Sequence, residues 1–516
     1  MRKTLLLIGA LLLSFCCISQ QIETARYEVE HWKQDMDAKF VSFHEQGGMF
    51  VVESDQLDEE KNRLWNFVSV DSSLYEQQVE SIPLPDKLEL FDGVASSKYA
   101  VVVFCPEKTQ NHDSTTFFVV SYDRISNTFT TFSDHVVGKS VFHSLAIVDA
   151  TMVLSINEKS GGGYLQFYDL ESGQKRMVRA TAGESFVNFQ LSGDEFEKRF
   201  VLAVREYVDK RYRATSFWVY SSSGSLVSHQ RFENGENSGL GRMCFAFDGQ
   251  HHLVVYATLE RETQKKTTIK GVTEDFDRSA VGVTWMKFVG EKPLTKTYLF
   301  KDMPDIEHAL TSYDRVLVNE ERIRRERGSK KERGEIAFQF YLPRLIQFGD
   351  KQVFAAEAFR PIIHTETRLE YGFYGTYPVT YTIFDGYEFF SEVLLAFDEE
   401  GRLCWQTSVK FDNSLCMDLS EHAAEMVYED ELVVVSPREH KLRYEVFGYD
   451  GKPLLDQHSL NLDYLHRADG FEEEYRVGIE PWYGRNMVVY GTQILQNSML
   501  RKTRRLVSYV QKIQYE

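Results

Sequence analysis

Short runs of β-branched and aromatic residues, broken by Gly, Asp, Asn and Ser, follow one another along nearly the whole chain, and long helical periodicity is almost absent. That pattern predicts strands and turns. The runs also recur in a fixed order. An aromatic strand, a turn and a polar return strand appear at residues 67–71, 118–123, 165–169, 217–220, 284–288, 394–398 and 444–447. An eighth such strand, 506–513, ends the chain with no return strand after it. A more apolar run precedes each one, at 49–52, 100–104, 152–156, 200–204, 253–256, 353–356, 432–435 and 487–490, as suits strands buried on both faces. A further strand comes earlier still, as at 40–44, 141–148, 186–191 and 244–247.

The unit is therefore three to four antiparallel strands, repeated roughly every 50 residues over the first five copies. Tandem four-stranded units are the blades of a propeller. Eight copies predict an all-β, eight-bladed β-propeller, with seven blades as the alternative count. Residues 26–32 form a spare strand near the N-terminus. Pairing it with the last copy would close the ring and remove two free sheet edges. Gly173, Gly224, Gly401 and Gly451 fall in turns where a left-handed residue is expected.

Two copies are expanded. One insertion, about 303–335, contains the charged stretch 319–334, with seven basic residues (Arg324, Arg325 and Arg327 among them) and four acidic ones. Mixed signs at helical spacing predict a short solvated helix with internal ion pairs. The sharper alternative is a docking site for an acidic partner. The other insertion, about 360–390, places Tyr371, Phe373, Tyr374, Tyr377 and Tyr381 within eleven residues, punctuated by Gly372, Gly375 and Pro378. Exposed, these rings would form a binding surface for a protein or a sugar face. Folded down, they would pack on the propeller rim. A second basic cluster, 501–505, reads as a hairpin loop between the last two strands.

Arg2, Lys3 and an apolar run of about 14 residues over 4–17 have the form of a secretory signal, with Ser19 as the small residue before cleavage. The expected organisation is a signal peptide over 1–19 and a single propeller domain over 20–516. Lipidation at Cys16 or Cys17 is the alternative. Either way the protein is expected to be exported, to the periplasm or beyond, with no membrane span. A net charge of -18 argues against nucleic acid as a partner. Cys105, Cys244, Cys404 and Cys416 form no C-x-x-C pair. They read as small buried hydrophobes, with a bridge between Cys404 and Cys416 as the alternative, since the two flank what looks like a strand pair.

Sites with a recognisable chemical spacing are missing. No H-E-x-x-H is present, and the adjacent His251 and His252 would face opposite sides of a strand. Ser238 lies one place off a nucleophile elbow, and Gly161, Gly162 and Gly163 read as a hairpin turn. The Asp-Gly pairs beginning at Asp92, Asp248, Asp385 and Asp450 read as turns. No metal or cofactor is predicted. Carboxylates near the axis, with Asp149, Asp194 and Glu425 as candidates, would be needed for glycoside chemistry.

The stretch Phe-Asp-Gly-Tyr at 384–387, followed by Ala-Phe-Asp-Glu-Glu-Gly-Arg-Leu-Cys-Trp at 396–405, resembles uncharacterised exported proteins of Bacteroidota. The hairpin repeat resembles the generic quinoprotein-like and WD40-like propeller pattern, without a Trp-Asp dipeptide closing each blade. The resemblance implies a fold and a compartment and carries no activity. The expected role is a binding or scaffold module for an envelope protein or a glycan. The alternative is a polysaccharide hydrolase or lyase with carboxylates in the axial funnel. Lengthened loops on a rigid ring favour binding over catalysis.

Overall fold

A computed structural model of the chain describes residues 24–515, apart from 32–35, 44–46, 107–113, 160, 181, 183–184, 210, 236–237, 263–277, 291, 327–337, 373–374, 418, 467 and 498–502. The predicted segments 1–19, Phe373, Tyr374 and Arg327 lie outside the described residues. Among those described, the strands form eight antiparallel sheets, each read in chain order apart from the last. Blade 2 shows the pattern: Leu88–Ala95, Tyr99–Pro106, Ser114–Asp123 and Thr128–Val137. The first strand of every blade lies beside the first strand of the next, and that of blade 8 returns to blade 1. The first strands thus surround an axis, and the protein is an eight-bladed β-propeller.

Period-two alternation explains why the blades stack. In Gly48–Leu57 of blade 1, Met49 and Val51 pack with Ala100, Val102 and Phe104 of blade 2. Their neighbours Phe50 and Val52 turn the other way, onto Trp482, Val488 and Val510 of blade 8. Each apolar second strand is therefore buried on both faces, and the core is a ring of inter-blade layers rather than one centre.

The spare N-terminal strand closes the ring. Thr24–His31 pairs antiparallel with Thr503–Gln514, in register from Thr24 opposite Ile513 to His31 opposite Leu506. Arg26 fastens this seam. Its Nη2 donates to Gln493 Oε1 at 2.8 Å and its Nη1 to Gln511 Oε1 at 3.1 Å, while Nε meets Glu28 at 2.7 Å. The guanidinium also lies 4.2 Å from the centre of the Tyr509 ring. Of the basic cluster at 501–505, Arg504 and Arg505 belong to the closing strand and not to a loop. Arg505 pairs there with Asp469 of its own blade and with Glu28, which ring closure brings to it.

Two turns show why glycine is required. Gly401 and Gly451 have φ of +70° and +76°. A Cβ at Gly401 would sit 2.1 Å from the Trp285 ring of blade 5, and one at Gly451 2.5 Å from the Trp405 ring of blade 6. A flat indole thus docks on the turn of the next blade.

The described part of the insertion at 303–335 forms two helices where one solvated helix was expected. Pro304–Tyr313 buries Ile306 and Leu310 among Phe300, Phe338 and Phe390. Arg315–Glu326 is capped by Asp314, whose Oδ1 accepts the backbone N–H groups of Val316 at 2.9 Å and Leu317 at 3.2 Å. No helix among the described residues is long and apolar enough to cross a membrane.

The cysteines require a correction. Cys404 and Cys416 stand at the two ends of one strand, Leu403–Cys416, and do not flank a pair. At roughly 3.3 Å per residue they are about 40 Å apart, far beyond disulfide reach. None of the four forms a disulfide, and only Cys244 is buried as expected, Cys404 being exposed; burial pushes the Cys105 thiol up to about 12 and that of Cys244 further still.

Candidate functional site

Blade 6 carries both unusual features of the molecule, one at the axis and one at its far end. Its first strand is broken into Gln339–Phe340 and Arg344–Phe348. The break places Arg344 beside the second and third strands, Lys351–Gly372 and Gly375–Phe397. Arg344 Nη1 donates to Glu357 at 2.9 Å, Nη2 to Glu392 at 3.0 Å, and Nε to Glu425 of blade 7 at 2.8 Å. Glu357 also accepts the backbone N–H of His422 at 2.9 Å and of Ala423 at 3.2 Å. The side chains of Glu357 and Glu392 are 0% exposed and that of Glu425 is 1% exposed.

Three carboxylates cannot all be ionised around one guanidinium at low cost. Burial pushes Glu357 up to about 7, with Arg344 pulling the other way. Burial and the neighbouring Glu425 hold Glu392 well above the carboxylate range. For Glu425, burial raises the value, but Arg344 and a hydrogen bond from Glu392 hold it low. The arrangement is a protonated Glu392 donating to an ionised Glu425, and the retained proton reduces the excess negative charge.

A second group lies at the axis. Lys39 Nζ of blade 1 meets Asp92 of blade 2 at 2.6 Å, near Glu480 of blade 8 and Glu421, which precedes the first strand of blade 7. Burial pulls Lys39 down, but these carboxylates outweigh it and hold it above its ordinary range. Burial pushes Glu480 up to about 7, and it accepts from the Tyr490 hydroxyl at 3.1 Å. Glu421 lies 3.8 Å from Arg344 and joins the two groups. A cavity of about 420 Å³ opens beside Arg344 and Glu425 and is lined also by Gln190 and Cys244, so that four successive blades contribute to it.

Exposure separates the groups chemically. Glu357, Glu392 and Glu425 are sealed and spent on Arg344, so they hold structure. Lys39, Asp92 and Glu421 have side chains 27%, 34% and 37% exposed, so water reaches them although protein surrounds them. A carboxyl that keeps its proton to about 7, as Glu480 does beside other carboxyl groups, is equipped for proton transfer. No cluster of His, Cys, Asp and Glu among the described residues has the geometry for a metal ion.

Of the three axial carboxylates expected from sequence, Glu425 is in the cluster. Asp149 and Asp194 are not. Asp149 sits in the turn after the first strand of blade 3, paired with Lys198, and Asp194 ends the first strand of blade 4, accepting the backbone N–H of Glu197. Two Asp-Gly pairs read as turns are in strands instead. Asp92 faces Lys39, and Gly93 is needed because a Cβ would lie 2.8 Å from Val41 Cγ2 of blade 1. Asp385 accepts from His364 Nδ1 at 2.7 Å. Lys39, Arg344, Glu357, Glu392 and Glu480 were missed. Glu357 and Glu392 left one signal: each is a lone charge inside an apolar strand, Val-Phe-Ala-Ala-Glu-Ala-Phe at 353–359 and Phe-Phe-Ser-Glu-Val-Leu-Leu at 389–395.

At the far end, the Tyr-rich insertion is a continuation of two blade strands. Lys351–Gly372 and Gly375–Phe397 stay paired beyond the sheet as a two-stranded ribbon, from Ile362 opposite Gly386 to Gly372 opposite Gly375. At roughly 3.3 Å per residue it extends for over 30 Å. The ring cluster expected from sequence is divided by register. Opposed residues share a face, so Tyr371, Leu369 and Pro378 lie on one side, and Tyr377, Val379 and Tyr381 on the other. Tyr371 is 92% exposed and Leu369 70%, so the tip does not pack on the rim. Arg368 lies over Tyr381, 5.9 Å from the ring centre. At the base, Arg360 Nε donates to the buried Asp314 at 2.8 Å, tying the ribbon to the helical insertion. Arg324 and Arg325 fall on the second helix; only their backbone is described.

No family model matches the chain, and no curated protein matches it. Among solved structures it is similar to the WD40 domain of SCAP from fission yeast, at 8% identity over 96% of this chain and 98% of that one, with a TM-score of 0.40. The β-propeller domain of the Trilobed protease from Pyrococcus furiosus, described as having an open velcro topology, matches at 9% identity over 82% and 96%, TM-score 0.35. The periplasmic gluconolactonase of Pseudomonas aeruginosa matches at 10% over 85% and 97%, TM-score 0.35.

Proposed function

We propose that this chain is an exported recognition propeller that captures a protein partner through the blade 6 ribbon, with the ring as rigid support. The signal-like N-terminus and the resemblance to exported Bacteroidota proteins support export. One observation carries the binding role: Leu369 and Tyr371 stand exposed at the tip of a two-stranded ribbon outside the sheet. Large apolar side chains held this way have no stabilising role within the monomer, and they suit an interface anchor. The test is capture from envelope extract by the chain from residue 20 onward, beside a variant lacking 368–382. A retained protein that disappears with the deletion is the expected result. Equal retention by both forms would overturn the ribbon's role.

A second reading is favoured by the axial group alone. Glu480 as the acid, with the carboxyl groups of Asp92 and Glu421 beside it, suits a polysaccharide hydrolase or lyase. On this reading Glu480→Gln lowers cleavage of a susceptible polysaccharide about 100-fold or more. A panel of neutral and uronic-acid polysaccharides left uncut by the unsubstituted protein would dismiss it.

A further inference from the structure

The second helix and the outer strand of blade 6 enclose a groove of about 440 Å³ at the foot of the ribbon. Tyr313 and Val318 give it apolar surface, and Arg315, Arg322 and Lys410 give it charge. Arg315, Val318, Asn319 and Arg322 follow the spacing i, i+3, i+4 and i+7, so one helical face supplies one wall. The local sign is opposite to that of the whole chain, whose net charge is -18.

The three cations are weakly compensated. Arg322 Nη2 is bonded to Asn319 Oδ1 at 2.8 Å, a neutral neighbour on its own helix. Lys410 Nζ stands over the Tyr313 ring at 5.4 Å. Arg315 meets Glu388 only at 3.9 Å. We infer that this groove takes a carboxylate-rich segment of the same partner protein that the ribbon holds, with an apolar side chain of that segment against Val318 and Tyr313. The inference rests on the ribbon reading. Charge complementarity selects an anion, and the apolar floor beside the cations fits a peptide better than a sulfated glycan, which has no apolar side chain to place there.

The probe is a fluorescein-labelled twelve-residue peptide of Asp and Glu with one central Leu, titrated against the chain from residue 20. Saturable binding that weakens as salt rises from about 50 to 500 mM is expected. The doubly substituted Arg322→Glu, Lys410→Glu form should bind at least tenfold more weakly. The variant lacking 368–382 should bind the peptide unchanged while losing the captured partner. If deletion leaves capture intact yet the peptide still binds the groove, the ribbon reading fails and the groove stands. An affinity no better than that of a Ser/Gly peptide with the same Leu, or one unmoved by charge reversal, overturns the groove. So does heparin binding that charge reversal abolishes, without any peptide binding.

Discussion

The strands Lys351–Gly372 and Gly375–Phe397 carry opposite chemistry at their two ends. Near the axis they bury charge: Glu357 and Glu392 have no exposed side-chain surface. At the tip they expose apolar side chains, Tyr371 at 92% and Leu369 at 70%. Either end alone violates the usual sorting of residues by polarity. The buried end is tolerated because Arg344 and a retained proton answer the charge. Among the described residues no comparable partner answers the exposed end. A violation satisfied internally reads as architecture, and one left unsatisfied reads as an interface.

Removal of Arg344 should have the largest effect on the buried end. Arg344→Met leaves buried carboxylates without their cation and should cost about 3–5 kcal/mol. A fall in the denaturation midpoint of the chain from residue 20 would show it. Adding Glu357→Gln, Glu392→Gln and Glu425→Gln should restore most of the loss, because the charges needing compensation are then gone. A cost below about 1 kcal/mol for Arg344→Met would mean that the cluster is hydrated and not a structural clasp.

A smaller effect is expected from pH. Glu357 is raised from 4.5 to about 7 by burial, against the pull of Arg344. Between those values the folded chain holds a proton that the unfolded chain has released, so stability falls as pH rises through this window. Glu474 and Glu480, also pushed up to about 7 by burial, act in the same direction. The midpoint should therefore be higher at pH 5.5 than at pH 8. Glu357→Gln should flatten the profile, by up to about 3 kcal/mol. A slope unchanged by that substitution would place the titration elsewhere.

The smallest stability effect belongs to the tip. Leu369→Ser combined with Tyr371→Ser should change stability by no more than about 0.5 kcal/mol, while partner capture is lost. A larger drop in the midpoint would show that the tip packs against the ring and would remove the contrast between the two ends.

The strand pattern alone identified the repeat, the eight blades and the closing strand, because period-two alternation and the order of apolar and aromatic runs are local properties of a chain. It also located both insertions. It did not say that residues 360–390 continue the blade strands, and so it could not see that register separates Tyr371 from Tyr377 and Tyr381. Register is a relation between two strands, set by the bulges at Ala358/Phe359 and Ile362/Ile363. Nor could the pattern find a bridge between Cys404 and Cys416 impossible, since spacing does not say whether two residues share a strand or face each other.

The axial group was the least legible part. Lys39, Asp92, Glu421 and Glu480 come from blades 1, 2, 7 and 8, and only ring closure makes them neighbours. Glu357 and Glu392 announced a buried charge by interrupting apolar runs, but their shared partner, Arg344, lies in a broken first strand with no periodic signal. Which segments become strands, and that they repeat, is set locally, because both depend on nearest neighbours along the chain. The tertiary structure decided which charges meet, which thiols stay apart and which rings stand in water, because each depends on packing between blades that no local pattern encodes.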